Sequence, residues 1–240
     1  MNLKSWIGFT ILSLGILTFS SCDKIKGKGG IVSQTRNVTG FTGVSLSINA
    51  TVYFSTDTLY YLEIKAQQNI LDILESDVGG NNNLLLQYRK GVIVGRHEHI
   101  EIFIAGPDVH TLNVSGSGEI FVTNPWISSY LKTIISGSGN ISVPQIDAGE
   151  LHATISGSGN IQATSGTVNY ETLRISGSGN IDLLGVEADT TFATISGSGN
   201  ISVWVTKLLD ATISGSGNIR YKGDPVVKSH VSGSGSIIKI

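Results

Sequence analysis

The 240-residue chain has one cysteine, 4 prolines and only 14% charged residues, and it has no surplus of positive charge: 16 Lys and Arg stand against 18 Asp and Glu. Each scarcity excludes something. A single cysteine cannot build an internal disulfide framework or a thiolate zinc site. A formal net charge of −2 provides no basic field, so nucleic acid is not expected as a partner. Disordered chains carry high charge, abundant proline or both, and this chain carries neither. Glycine is abundant instead, 30 of 240 residues against a usual share of about 7%. The glycines do not fall at every third position, which excludes collagen. What remains is a glycine-rich, mostly β, exported protein.

Lys4 precedes an apolar run from Trp6 to Phe19, interrupted only by Thr, Ser and Gly. The run is short of the about 20 residues a membrane span needs and has the character of a signal h-region. Ser20 and Ser21 follow, then Cys22, the only cysteine. This arrangement resembles the bacterial lipoprotein signal. The resemblance implies a signal peptide over residues 1–21, cleavage before Cys22, lipid attachment at the Cys22 sulfur, and acylation of the new amino terminus. Two or more acyl chains anchor a protein stably, so the membrane is the expected partner. Residues 22–30 are polar and glycine-rich and read as a flexible tether. The leader is similar in style to those of Bacteroidetes lipoproteins, in which surface display tends to go with acidic residues after the cysteine. Here lysines dominate that stretch. An outer-membrane location follows, with periplasmic and surface-facing orientations both left open.

The tetrapeptide Ser-Gly-Ser-Gly begins at Ser115, Ser136, Ser156, Ser176, Ser196, Ser214 and Ser232, with spacings of 21, 20, 20, 20, 18 and 18 residues. A near-constant period of this length marks a solenoid. The repeats are too short and too rich in Ser, Thr, Ile and Val for paired helices. Alternation puts Ala153, Ile155, Gly157, Gly159, Ile161 and Ala163 on one face and Thr154, Ser156, Ser158, Asn160 and Gln162 on the other, the period-2 signature of a half-buried strand. The expected fold is all-β: a single-chain parallel β-helix with coils of about 20 residues, 114–240 forming the repeat array. Isoleucine and valine columns flank the motif on both sides, from Val114 to Val231 before it and from Ile120 to Ile237 after it. The glycines either let the chain bend or let walls approach closely. Between the second glycine and the isoleucine stands a further column, Asn140, Asn160, Asn180, Asn200 and Asn218, which predicts an amide ladder. A carbohydrate contact surface is the functional alternative for the same column.

Residues 31–113 lack the tetrapeptide. Alternation predicts strands near 31–38, 44–49, 51–54, 59–65, 84–89 and 98–105. Ile70, Leu71, Ile73 and Leu74 predict one short helix within 67–78, ended by Gly79-Gly80-Asn81. This part is expected to extend or cap the coil stack, because an open β edge invites aggregation. The chain ends inside an apolar strand, Ser236-Ile237-Ile238-Lys239-Ile240, so self-association into a homo-oligomer through that edge is expected.

The recurring Gly-Ser-Gly-Asn-Ile, as at 137–141, 157–161 and 197–201, together with Arg36-Asn37-Val38-Thr39-Gly40-Phe41-Thr42-Gly43-Val44, resembles the head GIN domain family of auto-transporter adhesins. The resemblance covers about residues 31–240. It implies a β-helix-like fold and an envelope location, and it brings no catalytic residues.

Chemistry is sparse. The outward column after the isoleucines runs Phe121, Ser142, Gln162, Asp182, Ser202 and Arg220, in which Asp182 and Arg220 are the only charges and lie two coils apart. Glycan-cleaving sites need converging acids, which this column does not supply. Glu171 and the other repeat-region acids read as solubilising residues of the variable connections, and Trp126, Tyr130, Tyr170 and Trp204 as rings placed beside them. His97 and His99 share a strand face, without an evident third metal ligand. Asp57-Thr58-Leu59 and Asp189-Thr190-Thr191 resemble Bacteroidetes O-glycosylation sites, at Thr58 and Thr190. No cofactor or metal is expected. The expected protein is a non-enzymatic, lipid-anchored envelope solenoid that binds a glycan or a protein. The alternatives are a structural or signalling envelope component without external ligand and, third, a polysaccharide-active enzyme.

Overall fold

A computed structural model describes residues 24–240. The signal segment and Cys22 lie outside the described residues. The fold is a β-solenoid of about 6 turns, 67% strand, with coils roughly 20 residues apart, as the repeat period predicts, and one α-helix among the described residues.

The coils stack in parallel and in register. Trp126–Gly137 pairs with Ile146–Gly157, which pairs with Gly166–Gly177, and so on along the array. Ile135, Ile155, Ile175, Ile195 and Ile213 are consecutive partners, as are Ile141, Ile161, Ile181, Ile201 and Ile219. None of the ten is more than 2% exposed. Full burial of each side chain is worth about 1.5–3 kcal/mol, but a lone coil would leave the same column wet, so stability comes from stacking. Breaks in the alternation divide each coil into three short sides. In one coil the inward residues are Ile146 and Ala148, then Leu151, Ala153 and Ile155, then Ile161 and Ala163.

The two glycines of each motif do different work. The first, as at Gly157 (φ +144°) and Gly177 (φ +133°), takes a positive φ that turns the corner. The second is buried. A Cβ on Gly179 would lie 2.4 Å from the carbonyl oxygen of Gly159 and 2.7 Å from Ile155 Cγ2, both in the preceding coil. Bend and close approach, alternatives in the sequence, thus both occur: the first glycine combines them, since a Cβ on Gly177 would also lie 2.4 Å from the Gly157 carbonyl oxygen, and the second shows the close approach alone. The corner is itself hydrogen-bonded: the Gly157 carbonyl accepts from the amides of Ser178 at 2.9 Å and Gly179 at 3.1 Å.

The amino-terminal part joins the stack out of chain order. Strands Gly43–Leu46 and Thr51–Thr56 form a coil directly beneath Thr111–Val114 and Glu119–Val122. Strands Asn83–Tyr88 and Glu101–Gly106 form the coil beneath that one, so the chain passes back over its earlier coil before starting the repeats. In the earlier coil, Ser47-Ile48-Asn49-Ala50 occupies the corner that Ser-Gly-Ser-Gly occupies elsewhere. Side chains fit there because the coil beneath leaves at Leu86 and returns at Ile100, so no corner carbonyl stands behind Ile48 or Ala50.

Antiparallel strands cover the outermost coil. Leu74–Gly79 pairs with Asn83–Tyr88, Tyr61–Gln67 with Glu101–Gly106, and Ile31–Thr35 with Tyr61–Gln67. The helix spans only Gln68–Leu71, shorter than predicted. Ile70, Leu71, Ile73 and Leu74 are all buried, but the chain leaves the helix because Leu74–Gly79 can pair with the waiting strand edge. A tertiary partner here overrides local periodicity. Arg36 takes up the freed carbonyls, donating from Nη2 to Leu71 at 2.8 Å and from Nη1 to Leu74 at 2.6 Å.

Three other expectations change. The described part of the tether is held to the body: Ile25 bridges Val94, and Asn69 accepts from the Lys28 amide at 2.9 Å and donates to the Lys26 carbonyl at 2.7 Å. The strand read as beginning at residue 98 begins at Glu101, so His97 and His99 lie in the preceding connection. Trp126 is not beside the coils but inside them, 1% exposed, its indole N–H donating to the Val109 carbonyl at 2.7 Å.

The close approach at the second glycine makes a direct prediction. Gly179→Ala should lower stability by about 1–3 kcal/mol through overpacking, read as a lower denaturant midpoint. Gly80→Ala, where nothing lies within 4 Å of the new methyl, should leave the midpoint nearly unchanged. Equal effects at the two sites would refute the steric account.

Candidate binding face

Where every coil repeats, each outward column becomes a row of side chains at about 4.8 Å intervals. The richest side carries the strand segments just after the corner, among them Asn140–Val143, Asn160–Ala163 and the start of the long strand Asn180–Gly197. Here Asn140 donates from Nδ2 to Glu119 Oε1 at 2.9 Å, and Asn160 donates to Asn140 Oδ1 at 2.9 Å. Asn180, Asn200 and Asn218 continue the series at 2.9, 3.0 and 3.2 Å. A side-chain ladder therefore runs along the solenoid from a carboxylate. Each internal amide spends one N–H and one lone pair on its neighbours and keeps one of each for the outside.

Two residues further along each strand lies a second outward column. Phe103, Tyr53 and Phe121 stand in it on consecutive coils. Tyr53 stacks on Phe103 with centroids 5.1 Å apart and planes at 19°, and on Phe121 at 6.0 Å and 22°. Lys65 Nζ lies 4.4 Å from the Phe103 centroid and closes that end of the stack by a cation–π contact. At the other end the column continues as Ser142 and Gln162, joined by a 3.0 Å hydrogen bond. A groove of about 280 Å³ opens there, lined by Glu119, Phe121, Asn140, Ser142, Asn160 and Gln162. Sequence patterning marked the amide column but not the aromatic one, because Tyr53 and Phe103 belong to coils without the tetrapeptide and out of chain order.

Other singled-out residues are dispersed. Thr58 is exposed at the bend after Thr51–Thr56, and Thr190 is half-buried in Asn180–Gly197 beside Asp189, which pairs with Lys207 at 2.8 Å. His99 contacts Thr51 Oγ1 at 2.9 Å, His97 contacts the Tyr88 hydroxyl at 3.2 Å, and His110 and His152 flank Tyr130. Trp204 lies under Lys222, with Nζ 3.9 Å from the ring, and Tyr170 is 55% exposed. Among the described residues no group of three or more His, Cys, Asp or Glu could hold a metal ion, and no helix is long and apolar enough to cross a membrane.

Glu171 is the sharpest departure from expectation. It is not in an exposed connection but fully buried, standing in the inward column Leu131, Leu151, Glu171, Thr191, Leu209. The Thr191 hydroxyl donates to Oε2 at 2.9 Å, and Oε1 has no hydrogen-bond partner among the described residues. Burial pushes the carboxyl up to about 8, only partly offset by the Thr191 bond. The unfolded chain gives up this proton near 4.5, so between about 4.5 and 8 the folded state holds more protons and stability falls as pH rises. Thermal unfolding should show a loss on the order of 3–5 kcal/mol across that window. In Glu171→Gln that component should vanish; the same pH slope in the variant would rule out Glu171 as its source.

The family model described as "Putative auto-transporter adhesin, head GIN domain" matches residues 40–225. Among solved structures, a "putative adhesin" from Bacteroides fragilis is similar with a TM-score of 0.83 and 24% identity, covering 90% of this chain and 100% of its own. A "putative lipid binding protein" from Parabacteroides distasonis has a TM-score of 0.78 and 28% identity over 91% of this chain and 100% of its own. A "putative adhesin" from the same species has a TM-score of 0.76 and 20% identity over 91% and 100%. No curated protein matches the chain.

Proposed function

This chain belongs to the family described as "Putative auto-transporter adhesin, head GIN domain", and we propose that it is a non-enzymatic binding protein of the cell envelope, held to the membrane by lipid on Cys22. The observation that carries the reading is the hydrogen-bonded amide row on a rigid frame. A stack of coils in strict register fixes the donors and acceptors of Asn140 to Asn218 in a line, so a partner meets a pre-ordered surface and little side-chain entropy is lost on contact. The adhesin descriptions of the family and of similar structures support this reading. The lipoprotein-like segment before Cys22 supports an anchor at one end, which would leave the solenoid to project from it.

Cell fractionation with protease treatment tests the placement. The wild-type protein should sediment with membranes and incorporate labelled palmitate, and Cys22→Ser should lose the label and become soluble. Proteinase K added to intact cells should remove the anchored protein. Protection in intact cells but digestion after outer-membrane rupture would overturn the adhesin role in favour of an envelope component facing the periplasm.

A second property concerns the far end. Among the described residues no coil lies above Val226–Gly233 and Ser236–Lys239, and Val226, Val227, Val231, Ile238 and Ile240 are between 38% and 66% exposed. An uncovered parallel edge of this kind offers both backbone groups and apolar side chains to another chain. We propose self-association there. Sedimentation velocity should show a mass that rises with concentration and reverts to monomer in Val231→Lys; a wild-type monomer at every concentration would contradict it.

A further inference from the structure

We propose that the groove beside Phe121 is a subsite for one pyranose ring; this rests on the binding role above and names a ligand class for it. The starting point is where the aromatic column stops. Phe103 is covered on one face by Lys65 and on the other by Tyr53, and Tyr53 lies between two rings. Phe121 shares one face with Tyr53, and its other face looks toward the next coil, where the column position is Ser142. A hydroxymethyl group cannot fill the space a ring fills, so the stack ends in an unoccupied step one strand spacing deep. Phe121 is 37% exposed there.

The walls of that step are polar. Glu119 Oε1 accepts from the Asn140 amide, leaving Oε2 outside the ladder, and Asn140 and Asn160 each keep an outward donor and acceptor. Gln162 Nε2 is engaged by Ser142, leaving the amide oxygen for a ligand. One bare aromatic face ringed by amides and a carboxylate suits a molecule with one apolar face and hydroxyls around its edge. A pyranose is such a molecule: its C–H hydrogens carry partial positive charge and match the negative face of the ring. Each hydroxyl both donates and accepts, so it satisfies the amides in either orientation. Other ligands fit less well. A lipid chain needs apolar walls, and five of the six lining residues are polar. A phosphate or other anion meets the Glu119 carboxylate. At about 280 Å³ the groove is just under the about 300–1,000 Å³ of pockets for drug-sized ligands, which suits one ring. Beyond it, the amide row gives the rest of a glycan a polar track.

Saturation-transfer NMR on the mature chain, with the methyl glycosides of glucose, galactose, mannose and N-acetylglucosamine as probes, tests the assignment. At least one probe should receive saturation mainly on the C–H hydrogens of one ring face, with an affinity of about millimolar for a single exposed subsite. Phe121→Ala should weaken it about tenfold or more, while Phe121→Tyr should retain it. Ser142→Phe, which extends the aromatic stack into the groove and leaves Phe121 in place, should abolish it in a protein with unchanged circular dichroism. Undiminished binding in Ser142→Phe, or no transfer to any of the four probes, overturns the subsite. Immobilised matrix proteins assayed beside the probes separate the two proposals. Protein capture without sugar binding overturns the subsite and leaves the binding role standing, and capture lost in Ser142→Phe would reassign the groove to a protein side chain. Absence of any binding in both assays overturns both.

Discussion

Most of the architecture depends on a close approach between the backbones of successive serine–glycine corners, where a Cβ would fall 2.2–2.5 Å from a carbonyl oxygen of the coil beneath. From Gly137 to Gly215 the corner carbonyl accepts two amides from the coil above, as Gly157 does from Ser178 and Gly179. That arrangement leaves no room for a Cβ at the second glycine. The corner therefore locks the vertical spacing and the register together. Once locked, it forces the isoleucines before and after it into continuous columns and the asparagines into hydrogen-bonding contact. The connections vary in length, so that spacing runs between 18 and 21 residues while the tetrapeptide recurs unchanged. The coil with Ser47-Ile48-Asn49-Ala50 at its corner follows the same rule from the other side: nothing stands behind it, and side chains are admitted.

Register repeats whatever each column contains, favourable or not. Outside, repetition turns single amides into a row and two phenylalanines and a tyrosine into a stack, so that a surface feature extends over several coils without any long side chain. Inside, the same repetition places Glu171 among leucines, where its carboxyl must desolvate or stay protonated. Thr191 on the next coil answers one of its oxygens. A buried carboxyl with one partner ties the stability of the middle of the solenoid to pH, on the side of the coil that precedes the face that we propose binds ligand.

The two ends of the stack are treated differently. The amino-terminal end is closed by antiparallel strands on both of its edges, with Phe41, Leu62, Ile64 and Ile70 sealing the core. Among the described residues the carboxy-terminal coil has no such cover.

The fold class, the inward columns and the amide row could be read directly from residues, because a solenoid contact joins positions one period apart and the period is printed in the tetrapeptide. Ile135 and Ile155 are predicted neighbours on spacing alone. The sequence could not order the coils of the amino-terminal part, shorten the helix at Leu71, or bring Phe103, Tyr53 and Phe121 together, since those contacts join segments with no shared spacing. Nor could it bury Trp126 and Glu171, which stand at connection-like positions that happen to face inward. Local periodicity determined which face of each strand is dry; only tertiary packing decided which strand lies against which where the repeat is silent, because there the partner is chosen by the free edge and the unfilled space of the assembled stack.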